Sequence, residues 1–455
     1  MISTKSRRIL ATVLALGVLV VSTLSGCAKT TAATTAAGGT AETPSAAAQT
    51  TKTGEKVTIR FAHNWAGSDN KAPAFAEILN KFRAENPNIE LIEETATGDE
   101  LRTKVKVDLA SNNLADVVMY WGGSILKPLV DNGVVLDVSK YLAVSKTLKK
   151  EDISNAAWQF YTFNNVTFGI PIEGFMSSFI VNKDLFKKYN LEYPKTEADL
   201  LAVAKVFKQN GIVPLSVGSK GGNPSHFYYS ELYNQFANGT EEINSIGTTN
   251  KFNTENALKV AKIIDEQRIG GVFPGDTVAN GDWSPSFELY NSGKAAMVYT
   301  YPWMLGGMKK EIVDVSQIIP LPKMDGAAKD PATVIQSSAV FGVVINKASF
   351  EDTAKQAAVA ALVDAIVSAD SFKSLAKVGC IPTRTVDIDL TAVAPMIKQS
   401  IEYSAKLEKV PSHFNTVLND NAFTVFQNTL DELFAGAIAP DAFVAKVQAA
   451  FDEKQ

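Results

Sequence analysis

The chain has 455 residues, 46% hydrophobic and 20% charged, with 48 acidic against 44 basic side chains for a formal net charge of -4. That length supplies core for two or three domains, and the near balance of charge leaves no electrostatic footprint for nucleic acid.

At the N-terminus, Lys5, Arg7 and Arg8 precede an apolar run from Ile9 to about Leu24, followed at once by Ser25, Gly26 and Cys27. A run of about 16 residues is short of the roughly 20 a spanning helix needs, so residues 1–26 are read as a signal peptide. Leu24-Ser25-Gly26-Cys27 resembles the bacterial lipobox. The resemblance implies that Cys27 is acylated and holds the protein on the outer side of the cell membrane. Residues 27–54 are dominated by Ala and Thr and carry no aromatic side chain, which predicts a disordered tether. The other cysteine, Cys380, has no internal disulfide partner and reads as a small buried hydrophobe.

From residue 55 the pattern alternates. Val57, Ile59 and Phe61 predict a strand, and Phe75, Ile78, Leu79 and Phe82 share one face of a helix opened by Pro73 and stopped by Asn86-Pro87. Ile89 and Leu91 start a second strand; Leu101, Val105 and Leu109 mark a second helix. Residues 116–120 read as a buried strand, with a third helix through Ile125, Leu126, Leu129 and Val130. Residues 178–181 are strand-like, Thr196 and Asp199 form a capping box before the stripe Leu200, Val203, Ala204, Phe207, and residues 213–217 are the next strand. Thr254 opens a helix to about Arg268, residues 287–292 form a short helix, residues 295–299 and 340–345 are strands, and the C-terminal third is mostly helical. Alternation of this kind predicts an α/β fold with parallel sheets, and the chain length predicts two lobes. Ligands of such sheets bind beyond the carboxyl ends of the strands.

Five segments carry a family resemblance: Phe82-Arg83-Ala84-Glu85-Asn86-Pro87; Ala115 to Trp121; Gly169-Ile170-Pro171 with Ile180 to Phe186; Gly293 to Met297 with Pro302-Trp303; and Gly379 to Arg384. In this order the chain resembles the extracellular solute-binding proteins of ABC importers, in particular the sugar-binding group with maltodextrin and raffinose-type receptors. The resemblance implies a two-lobed, periplasmic-binding-protein-like fold of type II, with the ligand in the cleft between lobes. It implies lobe crossings near 169–172, 319–322 and Asn346. One lobe is then 55–168 plus 320–346, and the other 172–318 plus 347–455. It also implies a monomer that closes on a mono- or oligosaccharide, delivers it to the permease subunits and uses no cofactor.

A sugar presents apolar ring faces and hydroxyl rims, so its site needs aromatic platforms edged by carboxylates, amides or guanidinium groups. Trp65, Trp121, Trp283 and Trp303 lie at strand or loop ends and are candidate platforms, whereas Trp158 falls in a helical stretch and reads as core. Asn64 and Asp69 share the loop of Trp65; Asp282 and Arg384 complete the polar set. Glu173 and Phe175 follow the implied crossing, and Tyr120 or Trp121 matches the family's aromatic after the third strand. His226 is a further candidate. Alternatives are a peptide, polyamine or osmolyte as ligand, or a secreted carbohydrate-active enzyme using Glu173 and Asp282 as a carboxylate pair. No nucleophile elbow, Walker loop or dinucleotide fingerprint occurs, the three histidines have no i, i+4 partner, and Asp387-x-Asp389 reads as solvated rather than metal-binding.

Overall fold

The computed structural model describes residues 56–452 except 68, 97, 280, 282, 405–406 and 411–412. The predicted signal peptide, Cys27, the tether and Asp282 lie outside the described residues. Among the described residues no helix is long and apolar enough to cross a membrane.

Two sheets organise the rest, one in each lobe of an α/β fold. In the first, the strands run in the order Ile89–Thr95, Val57–His63, Val117–Trp121, Val334–Ile345, Ile170–Met176, Ile381–Pro382. The second has the order Ser316–Ile319, Ser178–Asn182, Ala295–Thr300, Val213–Ser216. Neither is parallel throughout, as alternation had predicted. Val57–His63 pairs in parallel with both neighbours, but Val334–Ile345 is antiparallel to Val117–Trp121 and to Ile170–Met176. The reason is connectivity: a helix crossover makes neighbouring strands parallel, whereas Val334–Ile345 is reached only after the chain has passed through the other lobe.

Local chemistry explains why the flanking helices form. Helix Ala72–Glu85 buries Phe75, Leu79 and Phe82 on one face, and the side chain of Asn86 donates to the Phe82 carbonyl at 2.9 Å where the helix ends. Burying such side chains stabilises by roughly 1.5–3 kcal/mol each. Helix Glu197–Gln209 carries the expected capping box: the Asp199 amide donates to Thr196 Oγ1 at 3.2 Å, and the Thr196 amide to Asp199 Oδ2 at 3.0 Å. The third predicted helix is instead a 3-10 turn, Gly123–Ile125, followed by a short helix, Lys127–Asp131.

The passages between sheets differ from those expected. The chain stays in the first sheet to Met176 and enters the second at Ser178, with Ser177 alone between. Residues 320–333 still pack on the second lobe, where the Glu197 amide donates to the Lys323 carbonyl at 3.0 Å and Gln235 Nε2 to the Pro322 carbonyl at 3.2 Å. The return comes at Val334. Asn346 is no crossing: its Oδ1 caps Lys347–Glu351, and helices Gln356–Ile366 and Ala369–Ala376 pack on Ala72–Glu85. Residues 347–384 therefore build on the first sheet, in contrast to their expected place in the second lobe.

Candidate functional site

A cavity of about 580 Å³ lies between elements of the two lobes. Its first-lobe wall starts where strands Val57–His63 and Val117–Trp121 end, so the loop 64–71 and Trp121 stand at the carboxyl edge of parallel strands. Its second-lobe wall comes from helices Ser225–Asn234 and Trp283–Asn291 and from Trp303 on the short helix Pro302–Leu305.

Of the residues singled out in the sequence, Asn64, Trp65, Asp69, Trp121, Glu173, Trp283 and Trp303 line the cavity. The aromatic ones differ in what they offer. Trp283 and Trp303 are half-buried, with ring centroids 5.4 Å apart at 74°, and Tyr301 stacks under Trp303 at 4.8 Å and 6°. Trp121 is also half-buried and packs edge-on to Phe341. Trp65 is only 2% exposed, wedged against Phe75 and Phe341, so it borders the cavity as part of the core. Trp158 is buried, as its helical context predicts, and donates to the Lys150 carbonyl at 2.9 Å.

Three candidates do not line the cavity. Tyr120 is buried in the sheet, because successive strand residues face opposite ways and its neighbour Trp121 takes the cavity side. Phe175 is enclosed by Phe227, Tyr301 and His413. Arg384 is a structural clasp, paired with Asp152 at 2.7 Å and donating to the Val367 carbonyl at 2.8 Å. His226 does reach the lining, from a helix rather than the expected loop, and Nε2 meets Asn223 Oδ1 at 2.9 Å.

Sequence reasoning missed Lys71. This lysine is 4% exposed; Nζ lies 3.1 Å from Glu173, 3.7 Å from Asp69 and 5.2 Å from the Trp65 ring centroid. Burial works against its charge, but the two carboxylates outweigh it and hold the ammonium above its ordinary pKa. Burial pushes Glu173 up, with Asp69 adding and Lys71 opposing. Asp69 and Glu173 thus share one ammonium on the first-lobe wall. Glu288, on the other wall, is paired with Lys309 at 2.6 Å. His226 is kept far below its ordinary value by burial, then by His413 and Arg102. Among the described residues no group of three or more His, Cys, Asp or Glu is placed to hold a metal.

Aromatic faces on both walls, edged by amides and an internally paired ion cluster, suit a neutral ligand with flat apolar faces and hydrogen-bonding rims. The sequence model of the bacterial extracellular solute-binding proteins matches residues 66–371. An uncharacterized ABC transporter extracellular-binding protein of Pyrococcus horikoshii is 25% identical over 314 residues, covering 68% of this chain and 69% of that one. A putative binding protein of Brucella abortus is 27% identical over 290 residues, 63% of this chain and 66% of its own. Among solved structures, a chitin oligosaccharide binding protein aligns with a TM-score of 0.77 at 20% identity, covering 87% of this chain and 98% of that one. A protein of xylan utilization from Caldanaerobius polysaccharolyticus aligns at 0.75 and 23% identity, covering 86% and 99%.

Proposed function

Because the chain belongs to the bacterial extracellular solute-binding proteins, we propose that it captures a mono- or oligosaccharide between its lobes and delivers it to the permease of an ABC importer. The observation that carries the sugar reading is the pair of half-buried tryptophans, Trp283 and Trp303, on one wall, with Trp121 on the other. Pyranose rings stack on such faces, and Asn64, Asp69, Glu173 and His226 supply polar edges. The chitin oligosaccharide binding protein supports the same class of ligand.

The protein is a monomer held outside the cell by acylated Cys27, and no cofactor takes part. The moving bodies are 56–176 with 334–385, and 178–333 with 386–452, joined where Glu408–Val410 pairs in parallel with Val334–Gln336 of the first sheet. A ligand that touches both gains contacts only when they close, and that difference in affinity drives closure.

Intrinsic tryptophan fluorescence of residues 55–455, titrated with mono- and oligosaccharides, peptides and polyamines, tests the proposal. Saturable change with one sugar class and no turnover supports it. Hydrolysis of the sugar indicates an enzyme, and a response confined to peptides or polyamines keeps the receptor and removes the sugar.

A further inference from the structure

The side-chain amide of Asn70 donates to the main-chain carbonyl of Trp303 at 3.0 Å, from the first lobe to the second, at the rim of the cavity. Both ends of this bond are anchored. On the first lobe, the Lys71 amide donates to Asp69 Oδ1 at 2.8 Å and the Ala72 amide to the Asp69 carbonyl at 3.0 Å, so Asn70 sits in a pinned turn at the head of helix Ala72–Glu85. On the second, the carbonyls of Tyr301, Met304 and Leu305 receive the amides of Met304, Gly307 and Met308 from their own turn. The Trp303 carbonyl receives Asn70 instead. A four-residue helix leaves such carbonyls without a helical partner, and here the other lobe provides one.

An independent contact shows that the backbones meet beside this bond. Gly379, next to the first sheet's edge strand, adopts φ +102°, and a Cβ there would lie 2.8 Å from the Pro302 carbonyl. The turn bearing Trp303 is therefore held against the first lobe by a close glycine approach and by one side-chain donor.

We propose that Asn70 is a positioning residue for ligand capture: its amide clasps the Trp303 platform to the ligand loop of the first lobe and sets how fast the closed cleft releases its solute. Ligand binding is cooperative with this bond, because closing the lobes forms both together. The inference rests on the closing-receptor reading above, but the clasp is measurable without any ligand.

Asn70→Asp keeps the shape and replaces a donor with an acceptor facing a carbonyl, and Asn70→Ala removes the group. The full chain, spin-labelled at Lys81 and Lys187, reports lobe separation, and hydrogen exchange reports residues 302–309. Without ligand, N70D is expected to broaden the separation and speed exchange in the turn, with N70A in between. Stopped-flow fluorescence with maltotriose, xylotriose and chitotriose is expected to show release of the bound sugar about three- to tenfold faster in N70D, with association little changed. Unchanged separation and exchange in N70D overturn the clasp whatever the sugars do. If the unmutated protein binds none of the three, the reading for these sugars fails, and separation and exchange still decide the clasp.

Discussion

Lys71 shows how little a buried charge announces itself in sequence. A lysine ahead of a helix reads as a solvated residue, and nothing in its neighbours signals that Glu173, about a hundred positions later, will close over it. The tryptophans were legible for the opposite reason: four stand at strand or loop ends, where α/β sheets bind ligands, and all four line the cavity. Phe175 misled because a residue's place near a crossing says nothing about which way its side chain turns, and Arg384 because a guanidinium forks onto groups of its own chain, here Asp152 and the Val367 carbonyl, as readily as onto a ligand. Lys71→Met leaves Glu173 buried without its cation and is expected to cost about 3–5 kcal/mol in urea unfolding, with Glu173→Gln in the same chain restoring part. Trp303→Ala is expected to weaken sugar binding about tenfold through lost stacking. Trp158→Ala, by contrast, lowers unfolding free energy by about 3–5 kcal/mol and leaves the affinity of the folded protein near its starting value. Titration calorimetry beside denaturation separates the two, and equal effects on affinity would remove Trp303 from the site.

Elements with strong local chemistry were read correctly, among them the helix capped by Thr196 and the strand Ser178–Asn182. The strand Val334–Ile345 was recognised only in its apolar second half, because Gln336, Ser337 and Ser338 break the hydrophobic pattern while pairing, first with Glu408–Val410 and then with Ile170–Met176, holds the backbone extended. Where this strand meets Ile170–Met176 the fit is tight: a Cβ on Gly342 would lie 2.4 Å from the Ile170 carbonyl and 2.7 Å from the Tyr161 hydroxyl. Tyr161 itself donates to the Tyr120 carbonyl at 2.9 Å, so it has no room to yield. Gly342→Ala is expected to lower stability by about 1–3 kcal/mol, read as a fall in melting temperature. An unchanged melting temperature would mean the two strands part without cost.

Across the whole molecule, all three histidines are buried and held below their ordinary pKa. Burial depresses His63 against the pull of Glu93, depresses His226 with help from His413 and Arg102, and brings His413 to about 3. An unfolded histidine takes its proton near pH 6.5, so for His413 the unfolded state holds the extra proton from that value down to about 3, and for His63 and His226 over windows that also open near 6.5. Stability is therefore complete above about pH 6.5 and falls as the solution is acidified through these windows, by up to about 1.4 kcal/mol per pH unit for each such group. His413→Phe fills a site already lined by Phe160, Phe175 and Phe227. Melting temperatures at pH 7.5 and 4.5 should differ less in that variant than in the parent, and an equal drop would place the acid sensitivity elsewhere. At this scale the two-lobed plan was legible, but the points where the chain changes sheets were not: periodicity identifies a strand without saying which sheet it joins.

That threading has a consequence for biosynthesis. Val334–Ile345 lies in the middle of the first sheet, between Val117–Trp121 and Ile170–Met176, yet it is the last of the three to leave the ribosome. Until it arrives, both neighbours present bare edges able to pair with any extended chain nearby. A message truncated before codon 334 encodes no half-sized receptor, since its first lobe lacks its keystone. Export in an extended form, with folding deferred until the whole polypeptide has crossed, suits a chain wound in this order.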